Sequence, residues 1–504
     1  MFSPVINRLA GLFFLRRQSE WKNYFTAPEK MQEEQFRFLI LKAKNTEYGR
    51  KYEFDQIDSY NKFSSKLPLT DYSALHPYIE KMINGQPDIL WPGRIKYFAQ
   101  SSGTTSTRSK FIPVSAEILE DCHYRGGKDM LMAYLQNNEN TKLFGGKILK
   151  LGGSIKQKQQ SEIIIGDLSG IMIDLLPFWA EMRSEPEENI ALLPDWEEKI
   201  DKIVRKTSKE DIRGIAGIPS WYLLLIKSLL DYTGKKHLID IWPELEVFFH
   251  GGIDFEPYRN RFEKLIGKPI KYMNIYNASE GFFGLQDDLN ERPFILTLDY
   301  RIFYEFIPME DFRGTSSVNV IPLEGIREGV NYAMVISTAS GLWRYILGDT
   351  VRFVSTRPYR FELTGRTKYF INIVGEEVIE DNTNKALAET ARHFGTEIVD
   401  YTVAPVFPTE KTKGFHEWLV EFARPPENLA DFEKMLDNEL QKLNSDYEIK
   451  RRNNISLKPL KIHIAKPGLF YHWLKKHGKL GGQHKVPRLS SDRKIFDELL
   501  RMNQ

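Results

Sequence analysis

The sequence predicts an α/β protein, with a large N-terminal mixed-sheet domain followed by a smaller C-terminal α+β domain. Three observations carry this expectation. Strand-like and helix-like apolar patterns alternate from residue 28 to about 360, which is the grain of an α/β chain. Beyond that point the pattern becomes two long strands and an amphipathic helix, typical of a small separate unit. Polar and glycine residues also recur where apolar strands end. A length of 504 residues accommodates two or three domains. The division is placed at Gly365, giving residues 1–364 and 365–504.

The elements follow in order. Residues 28–45 read as a helix with Phe36, Leu39, Ile40 and Ala43 on one face. Ile95, Tyr97 and Ala99 alternate as a strand, and Phe111-Ile112-Pro113-Val114 is a second short apolar run. Ser115 is placed to cap a helix over 116–135. Residues 145–175 read as strands, Lys147–Leu151 and Ile163–Ile165, around the polar loop Lys156–Gln160. A long helical region covers about 196–234, and Leu245–His250 reads as a buried strand ending at Gly251-Gly252. In the C-terminal unit, 398–406 and 415–423 read as strands. Pro425-Pro426 then leads into a helix carrying Leu429, Phe432, Leu436, Leu440 and Leu443.

Composition narrows the class. Hydrophobic residues at 41% and aromatics at 13% suit a packed globular protein. A net charge of +2 gives no reason to expect nucleic acid as a partner. The one cysteine, Cys122, excludes an internal disulfide and cysteine-pair zinc sites. It sits in a helical pattern, where a buried inert thiol is expected. The run Leu9–Leu15 is too short to span a bilayer and reads as a docked or surface-lying helix. The run Trp221–Leu230 reads as a core helix. A cytoplasmic location is expected, and a monomer is the simplest state.

The chemistry concentrates in Ser101-Ser102-Gly103-Thr104-Thr105-Ser106-Thr107-Arg108-Ser109-Lys110, with seven hydroxyls, one glycine and two cations. Hydroxyls and amides on a loop that glycine lets turn can cradle phosphate oxygens, and Lys110 adds a movable charge. The spacing is not that of the common P-loop, and a solvated Ser/Thr loop is the plain alternative. Four later segments have the same character. His250-Gly251-Gly252 lets a planar ring approach the backbone, or is a tight turn. Tyr276-Asn277-Ala278-Ser279-Glu280 offers a ring to stack on a base and a carboxylate for Mg²⁺, or a buried tyrosine before a helix start. Gly348-Asp349 can accept ribose hydroxyl protons, or is a turn. Gly365-Arg366 can clamp ribose or phosphate, or is a solvated basic turn.

Their order resembles the adenylate-forming superfamily, and within it the auxin-responsive acyl-acid-amido synthetase family. Ser101–Thr105 is similar to that family's first motif, Tyr276–Glu280 to its second, and Tyr345–Asp349 to its third. Asn45-Thr46-Glu47-Tyr48-Gly49 and Gln483–Arg488 resemble family segments near the two ends, so the likeness runs from about 30 to 490. Two positions depart: Ile346 stands where many members have arginine, with Arg344 nearby, and Asn277 stands where a small residue is common.

The resemblance implies two half-reactions, with ATP and Mg²⁺ as cofactors and a carboxylic acid and an amine, usually an amino acid, as substrates. The acid attacks the α-phosphorus of ATP to give acyl-adenylate and pyrophosphate; the amine then releases AMP. Ser101, Ser102, Gly103, Thr104, Thr105 and Lys110 are implied to hold the phosphates, and Glu280 the Mg²⁺. Tyr276, Gly251 and Gly252 are implied at the base, and Asp349 and Arg366 at the ribose. Lys485, from a small domain that rotates, bridges the α-phosphate and the substrate carboxylate, or belongs to a solvated basic tail. Trp221 and Phe178 are candidates for the acyl pocket, or core aromatics. Arg125 or Lys128 is a candidate for an amino-acid carboxylate. An acyl-CoA ligase using the same adenylate, and a non-catalytic nucleotide sensor, are the alternative functions.

Overall fold

The computed structural model describes residues 17, 19–101, 110–157, 162–252, 255–367, 370–371, 373, 376, 378–408, 412–451, 457–480, 485–490 and 492–504. The run Leu9–Leu15 and Ser102–Ser109 therefore lie outside the described residues, as do Gln483 and His484.

The strands in chain order are β1 Tyr97–Ser101, β2 Lys110–Val114, β3 Lys147–Lys150, β4 Ile155–Gln157, β5 Ile164–Gly166, β6 Ser184–Glu185, β7 Ile212–Gly217, β8 Val247–Gly251, β9 Lys271–Ala278, β10 Gly281–Leu285 and β11 Phe294–Leu296. They continue as β12 Ile302–Pro308, β13 Ile321–Pro322, β14 Asn331–Thr338, β15 Tyr345–Thr356, β16 Tyr359–Arg366, β17 Phe370–Ile371, β18 Val378–Ile379, β19 Glu397–Val406, β20 Phe415–Arg424 and β21 Lys461–Ile464. Twelve of them form one mixed sheet in the order β13-β12-β14-β15-β16-β11-β10-β9-β8-β7-β3-β6. The β9-β8-β7-β3-β6 end is parallel and the rest antiparallel. A smaller sheet, β2-β1-β5-β4, carries the antiparallel pair in which Ser101 faces Lys110.

Burial follows these pairings. The parallel strands pack Leu149, Ile215 and Phe248 against Ile203, Val204, Tyr222 and Ile226 of the helices Trp196–Thr207 and Pro219–Thr233. Ile212–Gly217 separates those helices as β7, so the single helical region expected over 196–234 is corrected to helix, strand and helix. The reason is local. Gly214 and Gly217 weaken a helix, while Ile212 and Ile215 gain full burial between β3 and β8. The region 145–175 is likewise less uniform than expected: β3 and β5 lie in different sheets, Ile155–Gln157 adds a strand, and Leu168–Asp174 is helical.

Ser115 caps its helix as expected, accepting from the Ile118 amide at 3.1 Å. The helix over 116–137 is interrupted by a π-helical stretch, Leu119–Tyr124. Among the described C-terminal residues, β19, β20 and β21 form a sheet covered by the helices Glu380–Phe394 and Leu429–Leu443. Its core gathers Tyr401, Trp418, Phe432 and Leu436. No helix among the described residues is long and apolar enough to cross a membrane.

Candidate active site

A cavity of about 1260 Å³ opens at the carboxyl ends of β3, β7, β8 and β9, the edge at which open α/β sheets present ligand sites. Its wall includes Lys110, Gly251, Gly252, Tyr276, Glu280, Asp349 and Arg366, together with Lys485 from the C-terminal unit. The fold thus brings these residues together from six separate segments of the chain.

Each is held by a definable local cause. Gly251 ends β8 so close to β9 that a Cβ there would lie 2.4 Å from the Ile275 carbonyl oxygen. Asp349 follows Gly348, whose φ is +94°, and pairs with Arg366 across β15 and β16. Arg366 Nε donates to Asp349 Oδ1 at 2.7 Å, and the Tyr276 hydroxyl donates to Oδ2 at 2.5 Å. Tyr276 is only 7% exposed, its ring set against Phe283, Phe294 and Phe361, so little of it is open to a ligand. Burial and the neighbouring Asp349 raise the Tyr276 pKa, keeping the phenol protonated as a donor.

Glu280 is buried, and loss of solvation raises its pKa, with Lys110 opposing the shift. Lys110 Nζ donates to the Tyr345 hydroxyl at 3.3 Å. Solvent in the cavity reaches Lys485, whose Nζ donates to the Gly252 carbonyl. Surrounding protein still lowers its pKa, while Glu380 and Asp349 oppose that shift.

These groups suit a polyphosphate nucleotide. Lys110, Arg366 and Lys485 supply positive charge, and the Ser279 hydroxyl is buried at the cavity wall without a hydrogen-bond partner among the described residues. Among those residues no cluster of three metal-ligating side chains occurs. Glu280 would offer a divalent cation one carboxylate, and the cation's other oxygens would come from phosphate and water, as is common for Mg²⁺.

The acyl candidates separate. Trp221 lines the cavity, edge-on to Trp196 with centroids 5.1 Å apart. Phe178 is corrected: it starts the short helix Phe178–Glu181, is 73% exposed and is not part of the wall. The helix turn faces Pro177 and Ala180 to the cavity instead. Lys128 lines the cavity, whereas Arg125 is tied outside it to Asp121 at 3.1 Å and Asp299 at 3.4 Å.

Three segments of the chain match domains of one family in sequence. Residues 17–270 match the GH3 family N-terminal domain, 295–366 its central domain and 381–494 its C-terminal domain. The chain belongs to the GH3 family. The family resemblance read from the motifs is thereby borne out. Among GH3 relatives, the indole-3-acetic acid-amido synthetase GH3.4 of Arabidopsis thaliana is 23% identical, over 92% of this chain and 89% of its own. The jasmonoyl-L-amino acid synthetase JAR6 of Nicotiana attenuata is 22% identical, over 91% and 90%. In fold, the GH3.15 acyl acid amido synthetase solved in complex with 2,4-DB superposes with a TM-score of 0.79 at 18% identity, covering 100% of this chain and 97% of its own. A 2-hydroxyisobutyryl-CoA ligase, solved in the postadenylation state, gives 0.59 at 13% identity, with 95% and 92% covered.

Both departures from the GH3 motif pattern have a place in this structure. Arg344 is buried just before β15, paired with Glu305 at 2.8 Å and donating to the carbonyls of Ser64 and Leu67. It serves the core, and Ile346 packs against Leu69, Ile307 and Val335 without lining the cavity. Asn277 Oδ1 lies 3.0 Å from His123 Nδ1. His123 and Lys150 both line the cavity and were not singled out by motif. The one sequence signal for Lys150 is a lysine interrupting an apolar strand.

Proposed function

We propose that this GH3 family protein is an ATP-dependent acyl-acid-amido synthetase. The observation that carries the reading is one cavity lined by Lys110, Glu280, Asp349 and Arg366 together with Lys485 from the C-terminal unit. In the first half-reaction a carboxylate oxygen of the acid attacks the α-phosphorus of ATP, and the bond to the β-phosphate breaks to release pyrophosphate. In the second, an amine nitrogen attacks the acyl carbon, loses its proton and displaces AMP. Both steps need alignment and charge neutralisation more than covalent help from the protein.

Lys110 and the Ser101–Thr105 segment bind the outer phosphates. Asp349, fixed by Tyr276 and Arg366, accepts from the ribose hydroxyls, and Gly251 and Gly252 leave room for the base. Lys485 offsets the charge that grows on the α-phosphate as the acid attacks. Mg²⁺, when bound at Glu280, shields the phosphate charge. The unit from Gly365 onward carries Lys485 and turns between the two half-reactions. The amine is an amino acid, by likeness to the relatives' names.

Pyrophosphate release from ATP and Mg²⁺ tests the reading, measured over aryl and short acyl acids with and without mixed amino acids. Release that rises with amino acids, together with an amide product, is expected. Release with acid that yields product only with coenzyme A, or ATP binding without release for every acid, overturns it. In Lys485→Ala, exchange of pyrophosphate into ATP is expected to fall by roughly 10²–10³-fold, the usual loss on removing one transition-state contact. Full exchange in that variant removes Lys485 from the first step.

A further inference from the structure

Lys150 is the cavity group that the adenylation chemistry leaves unused. Strand alternation puts Leu149 in the core and Ile148 and Lys150 on the cavity face of β3. Beside Lys150 in the sheet is Ala216 of β7, and Met172, Leu176 and Trp221 line the same cavity. Lys150 is half-buried, yet among the described residues its side chain makes no hydrogen bond or ion pair. Glu181 and Glu185 act on it only at a distance, and Glu185 is already paired with Lys147 and Lys206. Burial pushes the Lys150 pKa down to about 8. An ammonium kept in a largely apolar wall without a counter-ion is costly unless a ligand supplies the anion.

The placement of Lys150 also limits which anion that is. Glu280 closes β9, and β7 and β8 lie between β9 and β3. Three strand spacings put Lys150 about 14 Å across the sheet from Met273, the residue of β9 level with it, and Ala278 at the end of β9 is five residues further on. The α-carboxylate of an amino acid lies next to the reacting carbon, too near that carbon to span such a gap. A charge at the other end of the acyl acid matches it.

We propose that Lys150 receives a negatively charged group, such as a second carboxylate, at the end of the acyl acid remote from the carboxyl that is activated. This rests on the amido-synthetase reading and adds the class of acid: one with two anionic ends separated by an apolar body.

The test compares chain-length series of aliphatic and aryl diacids with their monomethyl esters, in pyrophosphate exchange, using the wild type, Lys150→Met and Lys150→Arg. The wild type is expected to favour the diacid of fitting length over its monoester by about 10–100-fold in kcat/KM, the range of one charge-assisted contact. The preference is expected in KM, to fall toward one in Lys150→Met and to return in Lys150→Arg. Equal use of diacid and ester by the wild type, or an unchanged preference in Lys150→Met, overturns the proposal. An exchange rate indifferent to Lys150→Met, with a raised KM for amino acids but not for their methyl esters, assigns the anion to the amine and also overturns it. If no acid supports exchange, the amido-synthetase reading fails first. Thermal shift with the same acids then decides about Lys150: stabilisation by diacids that Lys150→Met abolishes supports it, and equal shifts in both proteins refute it.

Discussion

Asp349 has both carboxylate oxygens engaged, by Arg366 and by Tyr276. This fixes the carboxylate before any nucleotide arrives, and preorganisation of that kind reduces the cost of binding. Asp349→Asn is therefore expected to raise the KM for ATP by roughly 10–100-fold, the range of one charged hydrogen bond, measured by exchange at saturating acid. Arg344, only five residues earlier, has a different task. Its side chain and that of Glu305 are 5% and 1% exposed. Arg344→Met leaves a buried carboxylate without its partner and is expected to cost about 3–5 kcal/mol in denaturant unfolding, with the KM for ATP of the folded protein unchanged. Asp349 and Glu280 could be found in the sequence because their neighbours in the chain form recognisable motifs. That Asp349 and Tyr276 are partners could not be read, since they lie 73 residues apart. Phe178 misled for the same reason: an aromatic beside a proline does not disclose which way a short helix will face.

At Gly251, beside the cavity, β8 leaves no room for a Cβ against β9. Gly251→Ala sets a Cβ against a backbone oxygen that cannot swing aside, and a loss of about 1–3 kcal/mol is expected on thermal or denaturant unfolding. Elements with a strong repeat, such as the helix Leu429–Leu443 and strands β8, β19 and β20, were legible to within a few residues. The failures occurred where tertiary contacts outweigh local preference. β7 is short and glycine-containing, and it earns its place from strands on both sides. The π-helical stretch Leu119–Tyr124 is a similar case. It coincides with two contacts to the neighbouring strands, since Cys122 Sγ accepts from the Phe282 amide at 3.1 Å and His123 meets Asn277. The thiol is buried and its pKa is pushed up to about 12, which makes it inert.

For the molecule as a whole, acid sensitivity follows from two histidines buried in the neutral form. Burial lowers His123 to about 4 and His250 to about 3, while the unfolded chain takes up these protons near 6.5. Between those values the unfolded state binds more protons, so stability falls as pH drops through 6.5. Each histidine is expected to cost about 1.4 kcal/mol per pH unit within that window. Melting curves from pH 7 to 4.5 check this, and His250→Gln is expected to flatten part of the slope. The mixed sheet has a consequence of another kind. Glu280 and Asp349 belong to the stretch from β9 to β16, whereas Lys150 and Trp221 belong to β3 and the helix after β7. On the proposed reading, the residues that choose the acid thus lie between β3 and the helix after β7, a stretch that holds none of Lys110, Glu280, Asp349 and Lys485. Exchanging only the stretch from β3 to the helix after β7 between relatives is expected to change the preferred acid while leaving the engine that activates it intact.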